Sequence, residues 1–238
     1  AQERVSLDTA RTVLEVLGGS FAVPAVNLPF RATGSQGVPF LTLAERLGTL
    51  ASGVLGGGLE RVAVDLHGIE ESLHAPIEIA VVRGVLIPFL GTAVNYVNAE
   101  RLGAERGIEV VRSARAPSDA YTHLIRVRAR GSEGEVDVAG TIYRDGDPRV
   151  VEYQGFRLEF RPKGHLLAVR NRDVPGVVGR LGTLIGETGI NIAEIHLARQ
   201  PGGDALSVIR LDQSPPESLV EAVEALDEVR ETHVVELQ

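Results

Sequence analysis

The stretch from Leu166 to Glu194, LLAVRNRDVPGVVGRLGTLIGETGINIAE, constrains this chain more than any other. It begins as an apolar strand, Leu166 to Val169, and breaks at Asn171-Arg172-Asp173. Pro175 and Gly176 then open a helix, because a first helical turn has no use for the N–H that proline lacks. Val177, Val178, Leu181, Leu184 and Ile185 are spaced for one buried helix face. Gly189 is placed to end the helix in a left-handed cap, and a second strand starts at Ile190-Asn191-Ile192.

Such a strand-to-helix turn presents free backbone N–H groups and the positive end of a helix dipole, which suits a carboxylate. Asp173 offers an acceptor to an ammonium, and Asn191 offers an amide to a hydroxyl beside it. Together these suit a small amino acid. The plainer reading stands next to it: Asp173 caps the helix and Asn191 only turns the chain.

The rest of the chain, 238 residues long, leaves room for one large domain or two small ones. With 44% hydrophobic and 24% charged residues it must build a packed core. A net charge of −8 argues against nucleic acid as a partner. The absence of cysteine rules out disulfides, thiolate metal sites and a cysteine nucleophile in this sequence. No uninterrupted apolar run is long enough to suggest a membrane span, so a cytoplasmic protein is expected. The chain starts at Ala1 and contains no methionine, so it is expected to be a piece of a longer protein, or one whose initiator was removed.

Residues 1–17 read as a helix with one apolar stripe, stopped by Gly18-Gly19 and too short to stand without a neighbour. Pro24 to Pro29 is extended, since each proline disfavours helix before it. A helix over Phe40–Leu55, a strand over Arg61–Ile69 and helix from Ile79, kinked or divided at Pro88, follow. Strands are expected over Ile108–Ser113, Thr122–Arg130, Glu135–Arg144 and, in two short pieces, Arg149–Phe160. After Pro162-Lys163-Gly164 the order becomes strand, helix, strand, hairpin, strand, helix, strand. That is a βαββαβ sandwich, with two helices on one sheet face and the other face open to a partner. The expected fold class is α+β. The expected division is a leading helix over 1–20, a mixed α/β domain over 26–161 and the βαββαβ domain over 163–238.

No catalytic constellation is visible. No G-x-G-x-x-G follows a strand, and the histidines at 67, 74, 123, 165, 196 and 233 are scattered singly. No metal site is expected.

Asn171-Arg172-Asp173-Val174-Pro175-Gly176, Gly179 and Gly189-Ile190-Asn191-Ile192 resemble the signature of the ACT domain family, ferredoxin-like modules that bind amino acids between two copies. AQERV at the start, Pro24-Ala25-Val26-Asn27-Leu28-Pro29 and Val94-Asn95-Tyr96-Val97-Asn98-Ala99 resemble the D-3-phosphoglycerate dehydrogenase family. That resemblance implies the C-terminal regulatory part of an NAD-dependent oxidoreductase of serine biosynthesis. It implies an intervening domain, L-serine as feedback effector, a catalytic domain of the same protein as partner, and a homo-oligomer formed through ACT domains. The effector site it implies consists of Asn171, Asp173, Gly176 and Val177, closed by Asn191 of a neighbouring subunit. Without a nucleotide fold or catalytic histidine, the chain by itself is expected to be inactive, and NAD belongs to the parent enzyme. The resemblance also implies an anion site for a phosphorylated, substrate-like molecule at Arg149 and Arg161, with Arg157 nearby. The plainer reading leaves these arginines as solvated strand-edge charges. Two other expectations are weighed beside this one: the small subunit of an iron–sulfur L-serine dehydratase, and a stand-alone ACT sensor.

Overall fold

The computed structural model describes residues 34–55, 58–117, 120–132 and 134–237. The expected helix over 1–17 and the extended segment 24–29 lie outside the described residues. Helix α1 spans Gly34–Leu55, and strand β1 spans Leu59–His67. Helices α2 (His74–Leu90) and α3 (Ala99–Glu105) lead to β2 (Glu109–Arg115). A meander follows: β3 (Leu124–Gly131), β4 (Gly134–Ile142), β5 (Pro148–Tyr153) and β6 (Phe156–Phe160). These strands form one six-stranded sheet in the order β2-β1-β3-β4-β5-β6, parallel between β1 and β2 and antiparallel elsewhere.

Helices α1 and α2 approach closely because glycines face the contact. A methyl group on Gly84 would sit 1.9 Å from the Glu45 carbonyl oxygen, and one on Gly48 would sit 2.3 Å from that of Val81. Pro88 does not divide α2. It lies in the last turn, and the carbonyl of Gly84 that it cannot bond accepts the Thr49 hydroxyl of α1 instead, at 3.0 Å. Helix stops at Gly91, a single 3-10 turn follows, and Asn95 and Asn98 then turn the chain into α3. The helical stretch Glu71–Ala93 is long and apolar enough to cross a membrane by composition, yet half of it is buried inside the protein. Its place against α1 marks it as a core helix.

The second domain is β7 (Gly164–Arg172), α4 (Val177–Glu187), β8 (Ile192–Gln200), β9 (Asp204–Leu211), α5 (Glu217–Glu224) and β10 (Val229–Leu237). The four strands form an antiparallel sheet in the order β10-β7-β9-β8. Leu167, Val169, Ile209 and Leu211 point to one face and pack with Val177, Leu181, Ile185, Leu219 and Val223 of α4 and α5. The chain is thus α+β, with the expected ferredoxin-like order.

The open face expected on this second sheet is not open. Leu166, Ala168, Leu206, Val208, Val235 and Leu237 join the same buried cluster as Leu43, Leu47 and Phe160 of the first domain. α1 lies against β10, with Gly53 so close to Val235 that an added methyl would sit 3.0 Å from its Cγ2. At the other side, the Gln200 amide donates to the Gly155 carbonyl at 2.7 Å. The physical reason is visible in β7 and β9: each is apolar on successive residues, as strands buried on both faces must be. The chain covers this face itself.

Candidate functional site

Strand β7 ends at Asn171-Arg172, and the chain then rises to the start of α4. Gly176 forms the N-terminal cap at φ 93°, a left-handed conformation that costs other residues about 1–2 kcal/mol. α4 therefore begins at Val177, two residues later than Pro175. Its first backbone bond runs from the Arg180 N–H to the Gly176 carbonyl at 3.0 Å. The N–H groups of Val177, Val178 and Gly179 have no intrahelical carbonyl to bond.

Asp173 does not cap this helix; α4 has no side-chain cap. Its backbone N–H donates to the Gly203 carbonyl at 2.7 Å, pinning the loop to the β8–β9 hairpin tip. Its carboxylate accepts from Arg199 Nε at 2.5 Å. The capping reading of Asp173 is thereby replaced by an ion pair across the mouth of the turn. Asn171 is 3% exposed. Its amide donates to the Arg172 carbonyl at 2.7 Å, while its Oδ1 is buried without a hydrogen-bond partner. Beside it in β9, Ser207 is wholly buried and its hydroxyl also lacks a partner.

The loop brings Asn171, Asp173, Gly176 and Val177 together. It does not bring Asn191. That residue is exposed, at the start of β8, where its amide donates to Asp212 at 3.1 Å. From Asn191 to Arg199 beside Asp173 is a strand length of about 26 Å. β8 is an edge strand, and on its helix-side face Ile195 and Leu197 are exposed by 44% and 50%. Val174 and Val178, near the loop, are exposed as well.

The second candidate region lies at the junction of the domains. Arg149 and Arg161 do converge, but on Asp147. Arg149 donates Nη2 at 2.6 Å and Arg161 donates Nη2 at 2.9 Å to the same carboxylate oxygen. Chiefly through the Arg161 bond, and against a smaller effect of burial, these guanidinium groups hold the Asp147 carboxyl below its usual range. Glu159 accepts from the Tyr143 hydroxyl at 2.5 Å and lies 3.5 Å from Arg149. Arg157 is not part of the cluster; it is exposed, opposite Glu152 in the strand register, and has no ion pair among the described residues. Within the second domain, Arg210 of β9 donates to Glu194, opposite it in β8, at 2.8 Å and lowers the pKa of that carboxyl. Sequence reasoning passed over Arg199 and Arg210, because a lone arginine in an alternating strand has no motif around it. Their position on a defined sheet face was the available signal. Among the described residues no group of acidic and histidine side chains is arranged to hold a metal ion.

Comparison with known proteins agrees with this domain pair. Residues 38–154 match the family model of the D-3-phosphoglycerate dehydrogenase intervening domain, and residues 165–228 match that of the ACT domain. A D-3-phosphoglycerate dehydrogenase of Synechocystis is 33% identical over all of this chain, and those of Archaeoglobus fulgidus and Mycobacterium tuberculosis are each 32% identical. The chain spans 44% of the length of the first and 46% of the other two. The first domain's match favours the dehydrogenase expectation over the dehydratase and stand-alone sensor.

Proposed function

Because the chain belongs to the D-3-phosphoglycerate dehydrogenase family through its intervening and ACT domains, we propose that it is the regulatory part of such an enzyme and binds L-serine at the ACT domain. The longer protein would oxidise 3-phosphoglycerate with NAD, and serine would restrain it as the end product. This chain supplies the restraint, not the chemistry.

The observation that carries the reading is the separation of Asp173 and Asn191 to opposite ends of the edge strand β8. One copy holds two half-sites. A second copy, laid antiparallel along β8, places its Asn191 beside the first copy's Asp173, and the reverse. Such pairing also covers Ile195 and Leu197 and extends the sheet. The ammonium of serine then meets Asp173, its carboxylate meets the first N–H groups of α4, and its hydroxyl meets Asn191 of the second copy. A ligand held by both copies favours the arrangement in which both halves meet, which is how it would bias the whole enzyme.

The test is calorimetric titration of the chain with L-serine, D-serine and glycine, its mass followed by light scattering. Saturable L-serine binding to a dimer or larger oligomer, lost in Asp173→Ala and in Asn191→Ala, is expected. An oligomer that stays folded and takes up no amino acid would refute the proposal and leave the ACT domain as an assembly module.

A further inference from the structure

Arg199 is the residue around the half-site that no motif assigns. It stands opposite Ala205 in β9, and Ala205 stands opposite Asn171 in β7. Residues paired across strands share a sheet face, so Asn171, Ala205 and Arg199 form one row beneath the β7–α4 turn. Ala205 contributes only a methyl to that row, which leaves a low path for the arginine side chain to cross. The guanidinium ends on Asp173, at 2.5 Å. The arginine side chain is 69% exposed, while the aspartate is 22% exposed.

An exposed guanidinium resting on a half-buried carboxylate is a pair that adds little stability and separates readily. It also presets the site for a particular charge pattern. A zwitterion entering between the two groups puts its ammonium on Asp173 and leaves the freed guanidinium facing its carboxylate, so four alternating charges remain balanced. An amine without a carboxylate strips Arg199 of its partner and returns none. An acid without an amine cannot displace Arg199 from Asp173. Arginine is suited to this second position because its planar fork binds a carboxylate through two parallel hydrogen bonds.

We propose that Arg199 is the carboxylate-reading residue of the effector site, held on Asp173 and transferred to the ligand's α-carboxylate when its ammonium takes that place. The site is then selective for free α-amino acids over their amides and amines. This rests on the reading of the ACT turn as an amino-acid site, and the experiment separates the two.

L-serine and L-serine amide are titrated into the full chain and into Arg199→Met and Arg199→Lys. Methionine keeps the length of the side chain without its charge, and at an exposed position it leaves the fold intact, which light scattering and circular dichroism check. In the wild type, serine is expected to bind at least about tenfold more tightly than its amide, a factor worth about 1.4 kcal/mol. In Arg199→Met that ratio is expected to fall to near one, and Arg199→Lys to restore part of it. An unchanged ratio in Arg199→Met overturns the role of Arg199 while leaving the serine site standing. Tighter serine binding in Arg199→Met also overturns it, since the arginine would then be only a competitor for Asp173. Failure of wild type to bind either ligand removes both proposals together.

Discussion

The shared core between the two domains predicts that a substitution in one is felt in the other. Leu206 lies in β9 of the second domain, 3% exposed, on the face that packs into the first domain's core. Leu206→Ala removes three carbons from a dense interior and costs about 2–5 kcal/mol. With a urea dependence of about 3 kcal/mol per M for a protein of this size, the unfolding midpoint falls by about 1 M. The tyrosines make a clean reporter. The chain has no tryptophan, and all four tyrosines (96, 121, 143 and 153) lie in the first domain, with Tyr153 1% exposed in the shared cluster. Tyrosine fluorescence therefore follows only the first domain, while circular dichroism at 222 nm follows both. Coincident transitions, shifted together by Leu206→Ala, are expected. Leu167→Ala, on the α4–α5 face of the same sheet, should shift the same single transition. A tyrosine transition that stays at its wild-type midpoint while the dichroism signal moves would show two independent units and refute the shared core.

Close helix contact predicts that Gly84→Ala destabilises by about 1–3 kcal/mol or more, because its methyl meets the Glu45 backbone at 1.9 Å, and thermal unfolding reads the loss. Gly182→Ala in α4, with nothing within 4 Å of the added carbon, should instead stabilise by about 0.5–1 kcal/mol. Asp147→Asn removes the counter-charge shared by Arg149 and Arg161 and is expected to raise affinity for inorganic phosphate about tenfold, measured by calorimetry at low salt. Burial holds the His233 pKa down, against smaller upward effects of Glu231 and Glu224. The unfolded chain takes up this proton first, so the stability tied to neutral His233 is present above about pH 6.5 and lost as pH falls below it. His233→Gln should flatten the stability profile between about pH 7 and 5 in urea titrations.

The element order of the second domain was legible from its apolar runs and helical periods, because its elements are short, regular and separated by glycine and proline. Gly189 ends α4 at φ 74° as its sequence position suggests, and the Gln154-Gly155 turn, at φ 51° and 77°, joins β5 to β6. What the sequence did not yield was which surfaces meet. Leu166 to Val169 reads as an apolar run, and that run contains the signal for burial on both faces, yet nothing in it names α1 as the covering element. Likewise Asp173 before a proline-opened helix looks like a cap. Only the fold shows that the residue opposite it, twenty-six positions later in β8, is an arginine that takes the carboxylate first. Pairing across strands is a long-range property, and arginine in a strand carries no local pattern that announces its partner.

β8 bears Arg199 near one end and follows Asn191 at the other, and on its inner face it carries Ala198 into the shared core. His196 on the same face stacks near Phe160 of β6, ring centres 6.2 Å apart. The edge strand β8 is therefore also a wall of the domain junction. In the proposed assembly, any shift of β8 that improves its fit to an effector and a second copy must be met by β6, which packs against it, because packed interiors do not deform continuously. In the proposed enzyme the effector signal would then leave the ACT domain from β8 into β6 and, across β9 and β7, from β10 into α1. Gly53→Val tests that route. The added side chain collides with Val235 and parts α1 from β10, while the loop at Asp173 is untouched. Serine binding should persist within about threefold, a change of under about 0.7 kcal/mol. Coincidence of the tyrosine and dichroism transitions should be lost. If Gly53→Val abolishes serine binding in a protein that remains an oligomer, the effector site depends on the junction more tightly than a split site at the β8 edge allows, and the route is wrong.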